Sequence, residues 1–406
     1  MKRSQLTEEV FKMRFTEIND RFQKKQLSCE EAADLFGISV STFSRKRQRS
    51  KEEGFDGNFD RRLGRVSPHR AADYEVEFIT KLYNQHYLGF SVKHFYEFAQ
   101  REHQLTRSYN WTRLTLEKKG VIKKSSRGGK HRLRRERKAM AGMMIHQDGS
   151  THRWIPALEN YFDLIVTMDD ATSEITSAFL VEEEGVLSSF QGIYETIEKY
   201  GLFCSFYTDR GSHYFYTPKA GEKVDKTQLT QVGRALRQLG IRHIPAYSPE
   251  ARGRSERMFG TLQNRLPKEL ALRNIANIED ANRYIRDVYL PRHNKQFSVK
   301  PACSESAFVP WASTISIKEV LCIQEERTVQ RDNTIHYENL ILQIPKNEFR
   351  HQYIKTKVQI RKYADSTLAA FYGPLCIGRY DMNGGLIEAE IDQYAKNNKE
   401  ILKCVS

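Results

Sequence analysis

The sequence predicts a multidomain chain, with all-α helix-turn-helix units at the N-terminal end, a central α/β layer, and a small antiparallel β barrel at the C-terminal end. Three observations predict it. Apolar spacing is helical in the first third, alternates between strand and helix from Ala141 to about residue 300, and has period two beyond about residue 315. At 406 residues the chain exceeds what one core organises. The net charge of +14 is uneven: residues 1–140 carry 32 Lys and Arg against 18 Asp and Glu, and the remainder carries 33 of each. Clustered cations on a neutral remainder predict a nucleic-acid-binding front end, because neutralising phosphates releases counterions.

Composition excludes several classes. With 39% hydrophobic and 11% aromatic residues the chain has enough apolar mass to form cores, so it is not disordered throughout. No run approaches 18 uncharged apolar residues and the first residues hold no apolar stretch, so neither a membrane span nor a secretory leader is expected. The six cysteines are scattered, without a CxxC pair or a histidine at zinc-ligand spacing. They read as reduced cytoplasmic thiols, and no structural zinc is expected.

In the first segment, 1–62, Ser28 to Glu31 form a capping box that opens a helix with Ala32, Ala33, Leu35 and Phe36, and Gly37 closes it. A second helix begins at Ser39. Val40 and Phe43 are assigned to packing, while Ser41, Thr42, Arg45, Lys46 and Arg49 point away, as a recognition helix in the major groove requires. Residues 54–70 read as a linker. The second segment, 63–122, repeats the plan: Val92, Phe95, Phe98 and Ala99 form one face, and Ser108 caps a helix with Trp111 and Leu114 inward and Asn110 and Arg113 outward toward DNA. Between 123 and 140 lies a basic linker arm suited to tracking phosphates. Its cations are Lys123, Lys124, Arg127, Lys130, Arg132, Arg134, Arg135, Arg137 and Lys138.

The central segment, 141–300, reads as three strands (MMIHQDG, YFDLIVTMDDAT, EITSAFLVE), a helix (VLSSFQGIYETIEKYG), a fourth strand (FCSFYTDRGS), a second helix and a fifth strand (IRHIPAY). A long helix from about Pro249 to Leu270 follows. This order implies a mixed sheet covered by helices. From 315 to 406, TIHYENLILQI, KVQIRKYADSTLAAFYG and GGLIEAEI supply the antiparallel β domain.

Three acids stand where strand and helix ends converge: Asp148 at the end of the first strand, Asp209 at the end of the fourth, and Glu256 at the start of the long helix. Carboxylates are hard oxygen ligands suited to Mg²⁺ or Mn²⁺. Two such ions about 3.5–4 Å apart activate an attacking oxygen and stabilise a leaving one in phosphoryl transfer. The residue types alone leave the plainer reading open, since an Asp before a turn is commonly a turn former and an exposed helical Glu is commonly solvated. Asp163, Asp169 and Asp170 compete for the metal role, with Asp169 and Asp170 read as capping and turn residues. His146 shares a strand face with Asp148 and His213 follows the DRGS turn, where either could touch DNA or a metal-bound water, with a packed or exposed histidine as the plainer reading. Arg252, Arg254 and Arg257 surround Glu256, where they would hold DNA phosphates.

The motifs around these acids narrow the reading. Y-T-D-R-G-S-H-Y-F followed by A-Y-S-P-E-A-R-G-R-S-E-R-M-F-G-T-L-Q resembles the core of the retroviral-integrase superfamily. That family's Y-x-P-x-x-x-G-x-x-E pattern falls on Glu256 and not on Glu250. D-G-S at 148–150, M-D-D-A-T at 168–172 and L-C-I-Q-E-E-R-T-V after the core are similar to bacterial insertion-sequence DDE transposases of the ISNCY group. The resemblance covers nearly the whole chain. The 46 residues between Asp209 and Glu256, which include the Lys-rich TPKAGEKVDKT, exceed the spacing in the most familiar integrases, an insertion that this transposase group commonly has.

The resemblance implies an RNase H-like integrase core and a transposase that binds the ends of its element and catalyses DNA cleavage and strand transfer. It also implies Asp148, Asp209 and Glu256 holding two Mg²⁺ or Mn²⁺ ions, double-stranded DNA as partner, and self-association as a dimer or larger complex. A cytoplasmic, nucleoid-associated bacterial location is expected with it. The competing readings are an inactive DNA-binding regulator descended from such an enzyme and an RNase H-like nuclease of other purpose.

Overall fold

The structure, a computed structural model, describes residues 3–54, 70–123, 136–217, 224, 227–247, 249–346 and 350–387, with the side chains of the first eight residues and of 249–252 excepted. The expected linker, most of TPKAGEKVDKT, and Lys124, Arg127, Lys130, Arg132, Arg134 and Arg135 lie outside the described residues. So does the side chain of Arg252. The chain divides into two compact units, 1–81 and 82–406.

In the first unit, α1 (Arg3–Gln23), α2 (Cys29–Phe36) and α3 (Val40–Glu53) pack around Phe15, Ile18, Ala32, Ala33, Phe36 and Phe43. The Ser28 Oγ accepts the Glu31 amide at 3.1 Å while the Glu31 carboxylate accepts the Ser28 amide at 2.7 Å, closing the capping box. Gly37 turns left-handed at φ 78° to end α2, a conformation that costs a side chain energy. Val40 departs from expectation, being 42% exposed. It is the first residue of α3, and the inward position falls to Phe43, whose ring lies 5.7 Å from Phe15 and 6.0 Å from Phe22. Ser41, Arg45 and Arg49 are exposed. Thr42 is engaged with the Ser39 hydroxyl at 2.8 Å, and the Lys46 ammonium sits 4.6 Å over the Phe11 ring.

After α4 (Asp73–His86), the second unit opens with α5 (Val92–Glu102) and α6 (Tyr109–Lys118). Phe95, Phe98 and Ala99 are buried as expected, with the Phe95 ring 5.0 Å from Tyr83 and 5.3 Å from Tyr87. Ser108 caps α6. Its inward stripe, however, is Thr112, Thr115 and Leu116, and Leu114 is 43% exposed. The larger apolar residues mislead here because the i, i+3, i+4 stripe that meets α5 is rotated by one position.

The central sheet has the order β3-β2-β1-β4-β5, from β1 (Ile145–His152), β2 (Phe162–Asp169), β3 (Ile175–Val181), β4 (Ser205–Thr208) and β5 (Arg242–Pro245). β1, β2 and β3 pair antiparallel, whereas β4 and β5 run parallel to β1. The sheet is thus mixed, with helices on both faces, as the element order implies. One face carries Leu164, Val166 and Met168 against Phe259, Leu262, Leu266 and Leu270 of α9 (Pro249–Leu272). The other packs Ile145 and Phe206 on α7 (Val186–Tyr200) and α8 (Gln231–Gln238) through Phe190, Ile193, Val232 and Leu236.

The outer edge at β3 is met by α10 (Ile278–Tyr284) and α11 (Leu290–Phe297), joined by a π-helical turn, Ile285–Tyr289. Asn282 pairs with both backbone groups of Leu180, at 2.6 and 2.9 Å, and Asn294 with both of Ile175, at 2.9 and 2.8 Å. Each amide thus replaces a residue of a neighbouring strand.

His293 on α11 is 6% exposed, with its ring 5.7 Å from Tyr289 and 4.7 Å from Phe297. Burial, reinforced by the Arg265 cation, pulls its pKa down to about 4. An unfolded histidine titrates near 6.5. Below that pH the unfolded chain takes up a proton that the folded chain refuses, so stability is complete above about 6.5 and falls as pH drops toward about 4. In thermal melts between pH 7 and 5, the His293→Gln variant should show a shallower loss than the parent, by about 1.4 kcal/mol per pH unit at most. Equal slopes would refute this assignment.

Of the expected period-two segments, TIHYENLILQI forms the hairpin of β7 and β8 and KVQIRKYADSTLAAFYG gives β9 and β10 of a four-stranded antiparallel sheet, β11-β10-β9-β6, while residues 388–391 of GGLIEAEI lie outside the described residues. The strands are β6 (Ile323–Thr328), β7 (Thr334–Tyr337), β8 (Leu340–Gln343), β9 (Lys357–Lys362), β10 (Leu368–Tyr372) and β11 (Leu375–Tyr380). Both sheets cover one core that includes Ile335, Tyr337, Leu342, Val358, Ile360, Leu368 and Ile377. Among the described residues no helix is long and apolar enough to cross a membrane.

Candidate active site

Asp148, Asp209 and Glu256 reach one cleft from three elements. The cleft, of about 860 Å³, is also lined by Gly149, Ser150, Gly211, Tyr247 and Gln263. Asp148 lies within β1 and not at its end as expected. The hairpin with β2 carries β1 on to His152, whereas its pairing with β4 stops at His146↔Tyr207, so beyond that point one side of β1 is open. Asp209 directly follows β4 and accepts the Gly211 amide at 2.9 Å on Oδ1. Glu256 is exposed on α9, which is held to β1 by the bond from Gln263 to the Ser150 hydroxyl at 3.1 Å.

The neighbouring acids are occupied by the fold. Asp169 accepts the amides of Thr172 and Gly142, both at 2.8 Å. Asp170, 1% exposed, accepts the Lys138 amide and the His146 Nε2, each at 2.8 Å, and pairs with Arg254. Asp163 accepts the Thr151 hydroxyl and the Glu184 amide. Arg254 therefore turns inward, while Arg257 is exposed and donates to the Gly253 carbonyl at 3.2 Å. Arg137, at the end of the basic run, bonds the Asp170 carbonyl at 3.1 Å and the Ser173 hydroxyl at 2.7 Å. Asn110 and Lys123 are exposed, and Arg113 pairs with Glu117 at 2.5 Å.

Two further residues stand behind the cleft, of which Glu184 had no distinctive sequence signal. Glu184 belongs to a run of three glutamates, and its carboxylate lies so close to Gly149 that a Cβ there would overlap it. His213 stands beside Gly211, where a Cβ would meet Asp209 Oδ1 and the His213 ring, each at 3.1 Å. A further network joins α5 to α9: His94 Nε2 meets Glu269 at 2.9 Å, Tyr284 donates to Glu269 at 2.8 Å, and Arg265 bridges to Glu97 at 2.6 Å. Burial lowers the His94 pKa, and hydrogen bonds from His94 and Tyr284 hold Glu269 low despite its burial.

The cleft lining offers hard oxygen donors without a thiol or imidazole, which fits Mg²⁺ or Mn²⁺. The three acids share its wall without being drawn together, since among the described residues no group of three His, Cys, Asp or Glu is set to hold a metal ion.

No protein-family model matches the chain. It is 29% identical over 345 residues to "Putative transposase y4bF" of Sinorhizobium fredii, covering 84% of this chain and 75% of that protein. Over 237 residues it is 30% identical to the transposase for insertion sequence IS1202 of Streptococcus pneumoniae, covering 58% of this chain and half of that protein's length. Among solved structures, the HTLV-2 integrase catalytic core domain in complex with magnesium aligns at 15% identity and TM-score 0.27, over 37% of this chain and 89% of that one. The simian T-cell lymphotropic virus intasome in complex with the PP2A regulatory subunit B56 gamma aligns at 15% and 0.32, over 72% and 91%. Both of these relatives are named as transposases, the class that the motifs of this chain resemble.

Proposed function

We propose that this transposase-class chain binds the ends of its element and catalyses cation-dependent cleavage and joining of DNA strands, with Asp148, Asp209 and Glu256 as the cation-holding carboxylates. The observation that carries the reading is the meeting of these three acids in one cleft from β1, the end of β4 and α9. Two Mg²⁺ or Mn²⁺ ions held there would activate water or a DNA 3′-hydroxyl and balance charge on the phosphate oxygens. The chain itself sets the geometry. β1 fixes Asp148 in a paired strand, the Gly211 amide orients Asp209, and the Gln263–Ser150 bond holds the Glu256 helix against β1. At the rim, Arg257 is exposed and Arg210 lies 5.5 Å from the Tyr247 ring, which places positive charge where phosphates would pass.

We assign residues 1–62 and 63–122 to helix-turn-helix DNA binding, 123–140 to the phosphate-tracking arm, 141–300 to catalysis and 315–406 to a barrel-like β domain. On α3, exposed Ser41, Arg45 and Arg49 are the favoured groove contacts, with Asn110 on α6 and exposed Lys123 beside them. Joining two ends calls for at least two protomers in one complex. The test is incubation of the full chain with DNA from the gene's flanks, in Mg²⁺ or Mn²⁺ against chelator. Cation-dependent nicking and joining at the ends is the expected result. Cutting without end preference or joining would favour a nuclease, and binding with neither reaction a regulator.

A further inference from the structure

We infer that Glu184 and His213 form a positioning pair that ties the Asp209 loop to the Asp148 strand, an inference that rests on the cleft reading above. Neither residue lines the cleft. Both stand directly behind the two residues that do.

Glu184 precedes α7, and its position is imposed from both ends. Its amide donates to Asp163 Oδ2 at 2.8 Å, and Asp163 faces Thr151 across the β1–β2 ladder, accepting its hydroxyl. Its carboxylate lies against Gly149, the residue after Asp148, where any side chain would collide with it. A glycine is required at 149 for this approach, because the backbone must leave room for the carboxylate. From there Glu184 Oε1 reaches His213 Nε2 at 3.4 Å, within ion-pair reach but off the alignment of a hydrogen bond, and Tyr214 at 3.5 Å.

His213 completes the tie. Its ring lies 3.9 Å from that of Tyr214, tilted at 44°, and the buried Tyr214 hydroxyl donates at 2.8 Å to Oε1 of Gln147, the residue before Asp148. Gly211, held between Asp209 and His213, has no room for a Cβ to move freely, and its carbonyl accepts the Tyr214 amide at 2.9 Å. Thus Gln147 and Gly149, on either side of Asp148, are both coupled to the loop that carries Asp209. A carboxylate standing behind two others also adds negative charge toward a cation in front of them.

The test is calorimetric titration of DNA-free full chain with Mn²⁺, using the parent, Glu184→Gln, His213→Gln, the double variant and Asp209→Asn. Each single positioning variant is expected to weaken Mn²⁺ binding about tenfold, and the double variant no further, because residues acting as one unit are non-additive. Thermal stability and affinity for end DNA should stay near the parent's, which a merely structural role would not allow. Unchanged Mn²⁺ affinity, or independent multiplicative losses, would overturn the pair. Failure of Asp209→Asn to weaken Mn²⁺ binding would instead count against the cleft reading itself.

Discussion

Asp209→Asn should leave the affinity for end DNA within about twofold while lowering cleavage and joining by about a thousandfold, the upper range for removing one electrostatic group from a reacting centre. Asparagine keeps the size of aspartate, and its carbonyl oxygen can still accept the Gly211 amide, so the loop after β4 need not move. What disappears is the negative charge facing the cleft. Glu256→Gln should behave likewise, since Glu256 lines the cleft with the two aspartates, whereas Glu250→Gln should be silent, because the Y-x-P-x-x-x-G-x-x-E pattern falls on Glu256. Gel separation of nicked and joined products against a filter-binding control decides the matter. Joining by Asp209→Asn within tenfold of the parent would remove that residue from the chemistry.

Arg254→Met should cost about 3 kcal/mol of stability, the lower end of the range for breaking a buried ion pair by removing one partner. The guanidinium is 12% exposed and Asp170 1%, so the carboxylate left behind cannot recover its partner from water. His146 and the Lys138 amide still bond Asp170, which is why the loss should sit at the low end. For a unit spanning residues 82–406 the melting temperature should drop by roughly 4 °C. A residue whose role was to grip phosphates would give the opposite pattern: weaker DNA binding with an unchanged melt. Thermal denaturation and end-DNA affinity, measured on the same sample, separate the two.

The sequence reading reached furthest where the signals were local. The Ser28–Glu31 box and Gly37 specify both ends of α2 within ten residues, and the apolar run at the centre of β2 marks it as the buried strand that it is. The acids of the cleft were legible through motifs surrounding each. Long-range partnership was not legible. Arg254 is one of three arginines near Glu256, and only the fold reveals that it turns toward Asp170, 84 residues earlier. His94 interrupts the apolar face of α5, and its partner Glu269 lies 175 residues away. Glu184 is indistinguishable from Glu182 and Glu183 without Gly149 beside it. Val40 and Leu114 failed for a related reason, since apolar character names a candidate for burial but the partner helix decides which stripe faces inward.

The two asparagines on the β3 edge bear on how the chain is made. Leu180 and Ile175 form their outward backbone bonds with Asn282 and Asn294, which leave the ribosome more than a hundred residues later. Through that interval all five strands can assemble while one side of the sheet still offers unpaired amides and carbonyls, the template on which strands from other chains add. A fragment ending before residue 278 keeps every strand of the central sheet and loses both covers. Such a truncation is therefore a route to edge-to-edge aggregates, and expression of this core alone requires the helices through Phe297.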